Sequence, residues 1–417
     1  MVRLLTLGVA VASLWAPQAA AQPDDRRAAA YFDEAAALCG REGGRLWAVS
    51  LCGPIAIADP LTRWIATNQP QPEAPRPPAL GFANAAMDWG GTRWTTLVWQ
   101  QVTSGDAHAR GRLMLHELFH RVQPQIGLAL TDGQNDHLDT LEGRYWLQLE
   151  WRALARALGT TGAERDTAVR DALTFRLTRR AQFSGAADNE RRLEINEGLA
   201  QYTGTVASVA SNAEAVSDAI AQLDRAPMVN QTFIRTFAYP SGAAYGLLLD
   251  VWSPGWTRRI NAGDDLGQLL MNAAQLQRAD DANAAADRYG GTALRTAEEA
   301  RETERQTRIA ELRRRFVEGP VLVMPNGRNS SFATNGMTPI PGAGTVYPTF
   351  RTTTDWGSLE AATVFMSNDR STLTVPVPSE AAGPTVHGEG WTLTLAPGWV
   401  IRPASRPGDL QVVRSTP

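Results

Sequence analysis

Histidine and cysteine are scarce in this 417-residue chain, and no long apolar run or one-sided charge stands out beside them. Two cysteines, Cys39 and Cys52, cannot make a zinc site by themselves. Beyond the N-terminus no run of about 20 apolar residues appears, so no membrane-spanning helix is expected. Forty basic residues face 43 acidic ones, the net charge is −3 and the two signs are mixed. There is no basic stripe of the kind nucleic-acid binding requires, so no nucleic-acid partner is expected. With these classes set aside, the length still suffices for two domains with cores of their own.

The first residues read as an export signal. Arg3 gives the positive end, Leu4 to Ala16 the apolar stretch, and Ala19-Ala20-Ala21 a small-residue cleavage site before Gln22. The stretch is too short to span a bilayer, and no cysteine follows it to carry a lipid. The expectation is a signal peptide over residues 1–21 and a soluble periplasmic or extracellular protein, with no stable membrane insertion after cleavage. In such an oxidising compartment Cys39 and Cys52 are expected to form a local disulfide, two buried thiols being the alternative.

Along the chain, Asp24 to Leu38 patterns as a helix, and Ile55–Ile57 and Trp64–Ala66 as strands. Pro70 to Pro78 reads as a surface connection. Gly90-Gly91 separates a strand pair, with Trp94 to Val102 predicted as the second strand. Helices are predicted over Leu138–Leu158, Glu164–Arg180, from near Asp188, and over Gly242–Val251. A charged helix from Ala293 to Val317 reads as a solvated face, with Glu304/Arg308 and Glu311/Arg315 in the favourable order. After Pro320 the helical patterns vanish and short alternating runs take over, such as Thr372–Val377 and Trp391–Leu395, which predicts a small all-β module. The thirteen tryptophans fall mostly in strand or helix patterns that core packing explains.

Two of the five histidines bracket a glutamate in His116-Glu117-Leu118-Phe119-His120. On a helix, residues four apart are offset by only about 40°, so both imidazoles face one metal ion. Glu117 is then placed to draw a proton from a water that the metal activates. The flanks agree with a helix: Asp106 can cap it, Leu113, Leu118, Phe119 and Val122 give an apolar face, and Pro124 ends it. His108 and His387 read as surface residues. The Asp132–Asp136 loop lacks the alternating ligands and terminal glutamate of an EF-hand, so calcium is not expected there.

The H-E-x-x-H pattern resembles the zinc site of zincin metalloproteases. A catalytic zinc needs a third protein ligand. Metzincins place a glycine and a third histidine where Gln123 and Ile126 stand, so that branch does not fit. Ile195-Asn196-Glu197-Gly198-Leu199-Ala200-Gln201-Tyr202 resembles the N-E-G-x-A-x-Y segment of gluzincins, and the resemblance implies Glu197 as the third ligand. Small Gly198 and Ala200 would let its helix approach closely, with Asp188 as cap and Glu194 on nearly the same face. Asp139 and Glu142 are competing ligands, although Asp139-Thr-Leu-Glu142 also reads as a capping box. Many gluzincins carry an aspartate four residues after the glutamate; Gln201 stands there, which leaves the partner of the ligating histidine unidentified.

The resemblance rests on two short motifs and implies an exported zinc metallopeptidase acting on peptide or protein substrates. One Zn2+ would be held by His116, His120 and Glu197, and Glu117 would be the general base. The oxyanion donor is sought in Ala238–Tyr245, which resembles the family's tyrosine-bearing segment. Tyr239 is favoured because it precedes the predicted helix; Tyr245, His137 and plain packing of both tyrosines are the alternatives. The implied fold is α+β and zincin-like: a mainly helical catalytic domain with a small N-terminal sheet over 22–319, then a β-rich module over 320–417. A non-catalytic binding protein on the same scaffold, or a hydrolase of a non-peptide amide, are the competing functions.

Overall fold

The computed structural model describes residues 22–129, 132–230, 232–327, 330–333, 336–378 and 383–415; the expected signal segment, 1–21, lies outside them. Helix α1 (Asp25–Glu42) begins at Asp24, whose carboxylate accepts from the N–H groups of Arg26 and Arg27. Cys39 in its last turns is disulfide-bonded to Cys52, with Cα atoms 5.2 Å apart.

Four strands follow: β1 (Ile55–Ala58), β2 (Ile65–Thr67), β3 (Ala85–Trp89) and β4 (Thr92–Val98). They form a sheet in the order β2-β1-β4-β3, with β1 parallel to β4 and the other pairs antiparallel. Gly90 and Gly91, with φ of 58° and 78°, make the tight turn between β3 and β4. The expectation that this strand reaches Val102 is corrected. It ends at Val98, and Trp99–Ser104 forms the short helix α2, whose Trp99 and Val102 are buried at helical spacing.

Helix α3 (Ala107–Val122) carries the histidine pair. The Asp106 carboxylate caps it by accepting from Ala109 N–H at 2.8 Å, and Pro124 lies in the 3-10 turn that ends it. A helical region follows: α4 (Leu141–Gly159), α5 (Gly162–Ala181), α6 (Ala186–Leu193), α7 (Leu199–Ala207), α8 (Asn212–Val229) and α9 (Ala238–Trp252). Thr140, not Asp139, caps α4, through Gly143 N–H at 3.1 Å. Asp188 is not a cap either: Gly185 precedes α6, and Asp188 pairs with Arg191 at 2.5 Å. Helix α8 has no counterpart in the sequence reading. Most of these elements share one apolar core, which includes Trp47, Trp99, Trp151 and Trp256.

Helices α10 (Leu266–Ala274), α11 (Ala282–Asp287) and α12 (Gly291–Arg313) complete the helical part. The face of α12 is only partly solvated. Glu298 and Glu302 reach the buried Arg144 of α4 at 2.5 and 2.9 Å, and Arg295 pairs with Glu142. Among the described residues from Val321 to Arg414 the regular structure is all strand, including β5 (Val321–Pro325), β6 (Ser330–Ser331), β7 (Thr338–Ile340), β8 (Gly344–Thr354) and β9 (Gly357–Ser367). A separate core of Leu322, Met324, Phe350, Trp356, Leu359, Trp391 and Leu393 holds this region together. The chain is therefore α+β, with an N-terminal sheet and a C-terminal all-β region. Among the described residues no helix is long and apolar enough to cross a membrane.

Candidate metal centre

Helix α3 meets the sheet where Thr95 Oγ1 of β4 donates to the backbone carbonyl of Glu117, at 3.4 Å. Across the other side of α3 lies the segment that carries Glu197. Helices α6 and α7 are not simply continuous. Between them Glu194–Gly198 forms a π-helical turn, in which Leu199 N–H reaches back five residues to Glu194 O. The wider turn rotates neighbouring side chains apart, a device found often at functional sites. It corrects the expectation that Glu194 and Glu197 share a face. Glu194 is buried against Arg176 and Arg180, whereas Glu197 faces the histidines.

The close approach of this turn to α9 depends on two glycines. A Cβ added at Gly242 would lie 2.2 Å from the Gly198 Cα. Any larger side chain there would push the two segments apart.

His116 Nε2 and His120 Nε2 are 3.1 Å apart, and each is 3.4 Å from Glu197 Oε2. A tetrahedral ion with bonds of about 2.0–2.2 Å has ligand-to-ligand edges of roughly 3.3–3.6 Å. The two nitrogen-to-oxygen edges have that length, the nitrogen-to-nitrogen edge is slightly shorter, and the donors are the nitrogen and oxygen atoms zinc takes. Burial disfavours charge on His120, yet Glu197 and Gln123 hold its pKa up, to about 9. Burial likewise opposes ionisation of Glu197, but its contacts with the two histidines outweigh it and keep the carboxyl well below the usual range. In a metal-free protein the three groups would act as a hydrogen-bonded acid–base cluster.

Both outer ring nitrogens are held by glutamines. His120 Nδ1 lies 2.8 Å from Gln123 Oε1 and His116 Nδ1 lies 3.2 Å from Gln201 Oε1. Gln123 Nε2 donates to the carbonyls of Leu128, Ile195 and Asn196, which fixes the amide with its oxygen toward His120. His120 Nδ1 must then donate, leaving Nε2 free to bind a cation. Gln123 also ties α3 to the π-helical turn just before Glu197. Gln201 occupies the place where the sequence reading found no partner for His116.

Glu117 is buried and lines a cavity of about 810 Å3 together with His120, Glu197, Tyr239 and Arg235. Burial raises the Glu117 pKa, as does the charge of Glu197, while the two histidines oppose the shift. The Tyr239 ring stacks on His116 with centroids 5.5 Å apart and planes at 8°. Burial, then the charge and hydrogen bond of Glu197, raise its pKa, so the phenol keeps its proton and stays a donor. Tyr239 does not precede its helix, as expected, but sits in the first turn of α9.

The competing residues lie elsewhere. Asp139 is half-buried and accepts from Thr232 Oγ1 at 2.7 Å and Phe233 N–H at 3.1 Å. Glu142 is engaged by Arg295 and by Trp146 Nε1. His137 hydrogen-bonds the buried Glu190 at 2.7 Å, and Tyr245 donates to the buried Glu150 at 2.7 Å. His108 and His387 are exposed. Arg235, which the sequence reading passed over, approaches Glu197 Oε1 at 3.4 Å and pairs with Asp132; Asn196 Nδ2 donates to the same aspartate at 2.9 Å. Its position four residues before Tyr239 is a helical spacing, and that was its only signal. The chain matches no protein-family model, and neither a curated protein nor a solved structure is similar to it.

Proposed function

We propose that this chain is an exported zinc metallopeptidase of the gluzincin type, with His116, His120 and Glu197 as metal ligands. The observation that carries the reading is the convergence of those three donor atoms to within 3.4 Å of one another, close to tetrahedral edge lengths, beside a Glu117 that lines the same cavity. Zinc held there would supply Lewis acidity, lowering the pKa of a coordinated water toward about 7. Glu117 accepts the proton released at its carboxylate and returns it to the leaving amine. Its raised pKa brings it nearer the neutral range in which a base both takes and gives protons. Tyr239, kept protonated, donates to the developing oxyanion. Arg235, itself held by Asp132, reaches the outer oxygen of Glu197, so that Oε2 faces the histidines.

A peptide substrate is favoured over a small amide by the sheet. Ala85 and Ala86 of β3 line the cavity, and β3 is the edge strand of its sheet. An edge strand offers backbone N–H and C=O groups to an extended chain. The test is zinc stoichiometry in the purified protein and in Glu197→Ala. One zinc in the wild type and its loss in a folded variant is the expected result. Full retention by the variant removes Glu197 from the site, and a wild type that takes up no zinc after reconstitution removes the peptidase reading.

A further inference from the structure

Behind His116 the hydrogen bonds continue away from the cavity in one direction. Gln201 Nε2 on α7 donates to Gln222 Oε1 on α8 at 2.6 Å. Gln222 Nε2 donates in turn to Asp218 Oδ2 at 3.0 Å and to Thr205 Oγ1 at 3.1 Å. Asp218 also accepts Arg112 Nη1 of α3 through both oxygens, at 2.5 and 2.7 Å, and His108 Nε2 lies 3.3 Å from it. Arg112 and His116 are four residues apart on α3, and Asp218 and Gln222 are four apart on α8. The bonds thus close a ring through three helices, with the candidate ligand at one corner.

The ring has a polarity. An ionised carboxylate only accepts hydrogen bonds, so the face of Gln222 that meets Asp218 must be its NH2 group. Its carbonyl oxygen then faces Gln201, whose NH2 must point to it. Gln201 is left with its oxygen toward His116 Nδ1, which must carry the proton. Each amide has one face of each kind, so the order set at Asp218 passes unbroken to the imidazole. Either amide alone could turn over at little cost; anchored at a carboxylate, neither can do so without setting two donors or two acceptors against each other.

We propose that Asp218 is a positioning residue that fixes the tautomer of His116 through Gln222 and Gln201, and so presents Nε2 to the metal. The proposal rests on the zinc reading above. It gives the site, through two amides, what a directly bonded carboxylate gives many metal-ligating histidines. Arg112, bonded to both of its oxygens, keeps the anchoring carboxylate in place.

The test measures zinc affinity by chelator competition in the wild type, Asp218→Asn, Gln222→Leu, and Gln222→Leu combined with Gln201→Glu, with the thermal midpoint of each metal-free protein alongside. Asp218→Asn and Gln222→Leu are expected to weaken zinc binding about 10- to 100-fold. The added Gln201→Glu puts a carboxylate directly on His116 Nδ1 and is expected to restore most of that loss. A ring that merely braced the helices would lower the metal-free midpoints and gain nothing from the added glutamate, and that pattern overturns the proposal. Wild-type affinity in both single variants overturns it as well while leaving the zinc reading intact. A wild type without zinc removes both.

Discussion

At the residue scale the decisive pair is Glu117 and His120, which line one cavity and on the proposed reading carry different tasks, base and metal ligand. Glu117→Gln keeps the shape and removes the proposed base. Activity is expected to fall about 10²- to 10⁴-fold with zinc content unchanged; a variant that still cleaves peptide at the wild-type rate takes the proton step away from Glu117. His120 gives a pH signature. Its metal-free pKa, about 9, lies above the ordinary 6.5. Its contact with Glu197 therefore stabilises the metal-free fold fully below pH 6.5, and that contribution is lost as pH rises through 9. On the proposed reading zinc displaces this proton, so about one proton per ion is expected to be released at neutral pH, fading above pH 9. Titration calorimetry in buffers of different ionisation enthalpy reads the number directly, and none released at neutral pH would contradict the acid–base cluster. The histidine pair and Glu197 were legible in the sequence because a four-residue spacing and a short motif encode them. Gln123, Gln201 and Arg235 were not, because an amide or guanidinium takes its role from what folds against it.

At the scale of elements, the π-helical turn is held from behind. Arg176 forks onto Glu194 and also reaches Glu150 and Asp265, while Arg179 and Arg180 join Glu190; Glu150, Glu190 and Glu194 are fully buried. All 40 basic residues of the chain are arginine. The planar fork suits such a cluster, since it satisfies two carboxylate oxygens at once. Burial opposes charge at Glu190, but Arg179 and Arg180 overcome it and hold its pKa well below the usual range; at Glu194 burial wins and raises the pKa. Arg176→Met leaves buried carboxylates without their partner and is expected to cost about 3–5 kcal/mol. Denaturant midpoints at constant slope measure it, and a loss under about 1 kcal/mol would make the cluster dispensable. The periodic helices α1, α4 and α5 were readable from spacing alone. The turn was not, since i→i+5 bonding leaves no periodic trace in five residues. Helix α8 escaped because its apolar face is built mostly from alanine, and Tyr239 was placed outside α9 because the predicted helix began at Gly242, whereas Pro240 is accommodated in the first turn, where its missing N–H costs no bond.

At the scale of the whole molecule, the change of composition after Pro320 announced the C-terminal strands, but not that they reach the candidate site. Phe332 and Ala333, just after β6, line the same cavity as Glu117 and His120. Phe332 is 40% exposed and packs edge-on against Tyr347 of β8, with ring centroids 4.6 Å apart. From the N-terminal part, Phe82 enters the same cavity and is 61% exposed. Large apolar side chains left in water at a cleft mark a contact surface. A peptide with an aromatic or branched aliphatic side chain would bury both rings, and their separation in sequence explains why no local pattern revealed the pair. Phe332→Ala removes one wall without touching a donor to the metal. The loss of about 1.5 kcal/mol of apolar burial corresponds to roughly a tenfold lower kcat/KM on such peptides. The fall is expected mainly in KM, with zinc content and kcat near wild type. Equal losses on peptides bearing apolar and polar side chains would mean that Phe332 shapes the fold of the cleft and does not read the substrate.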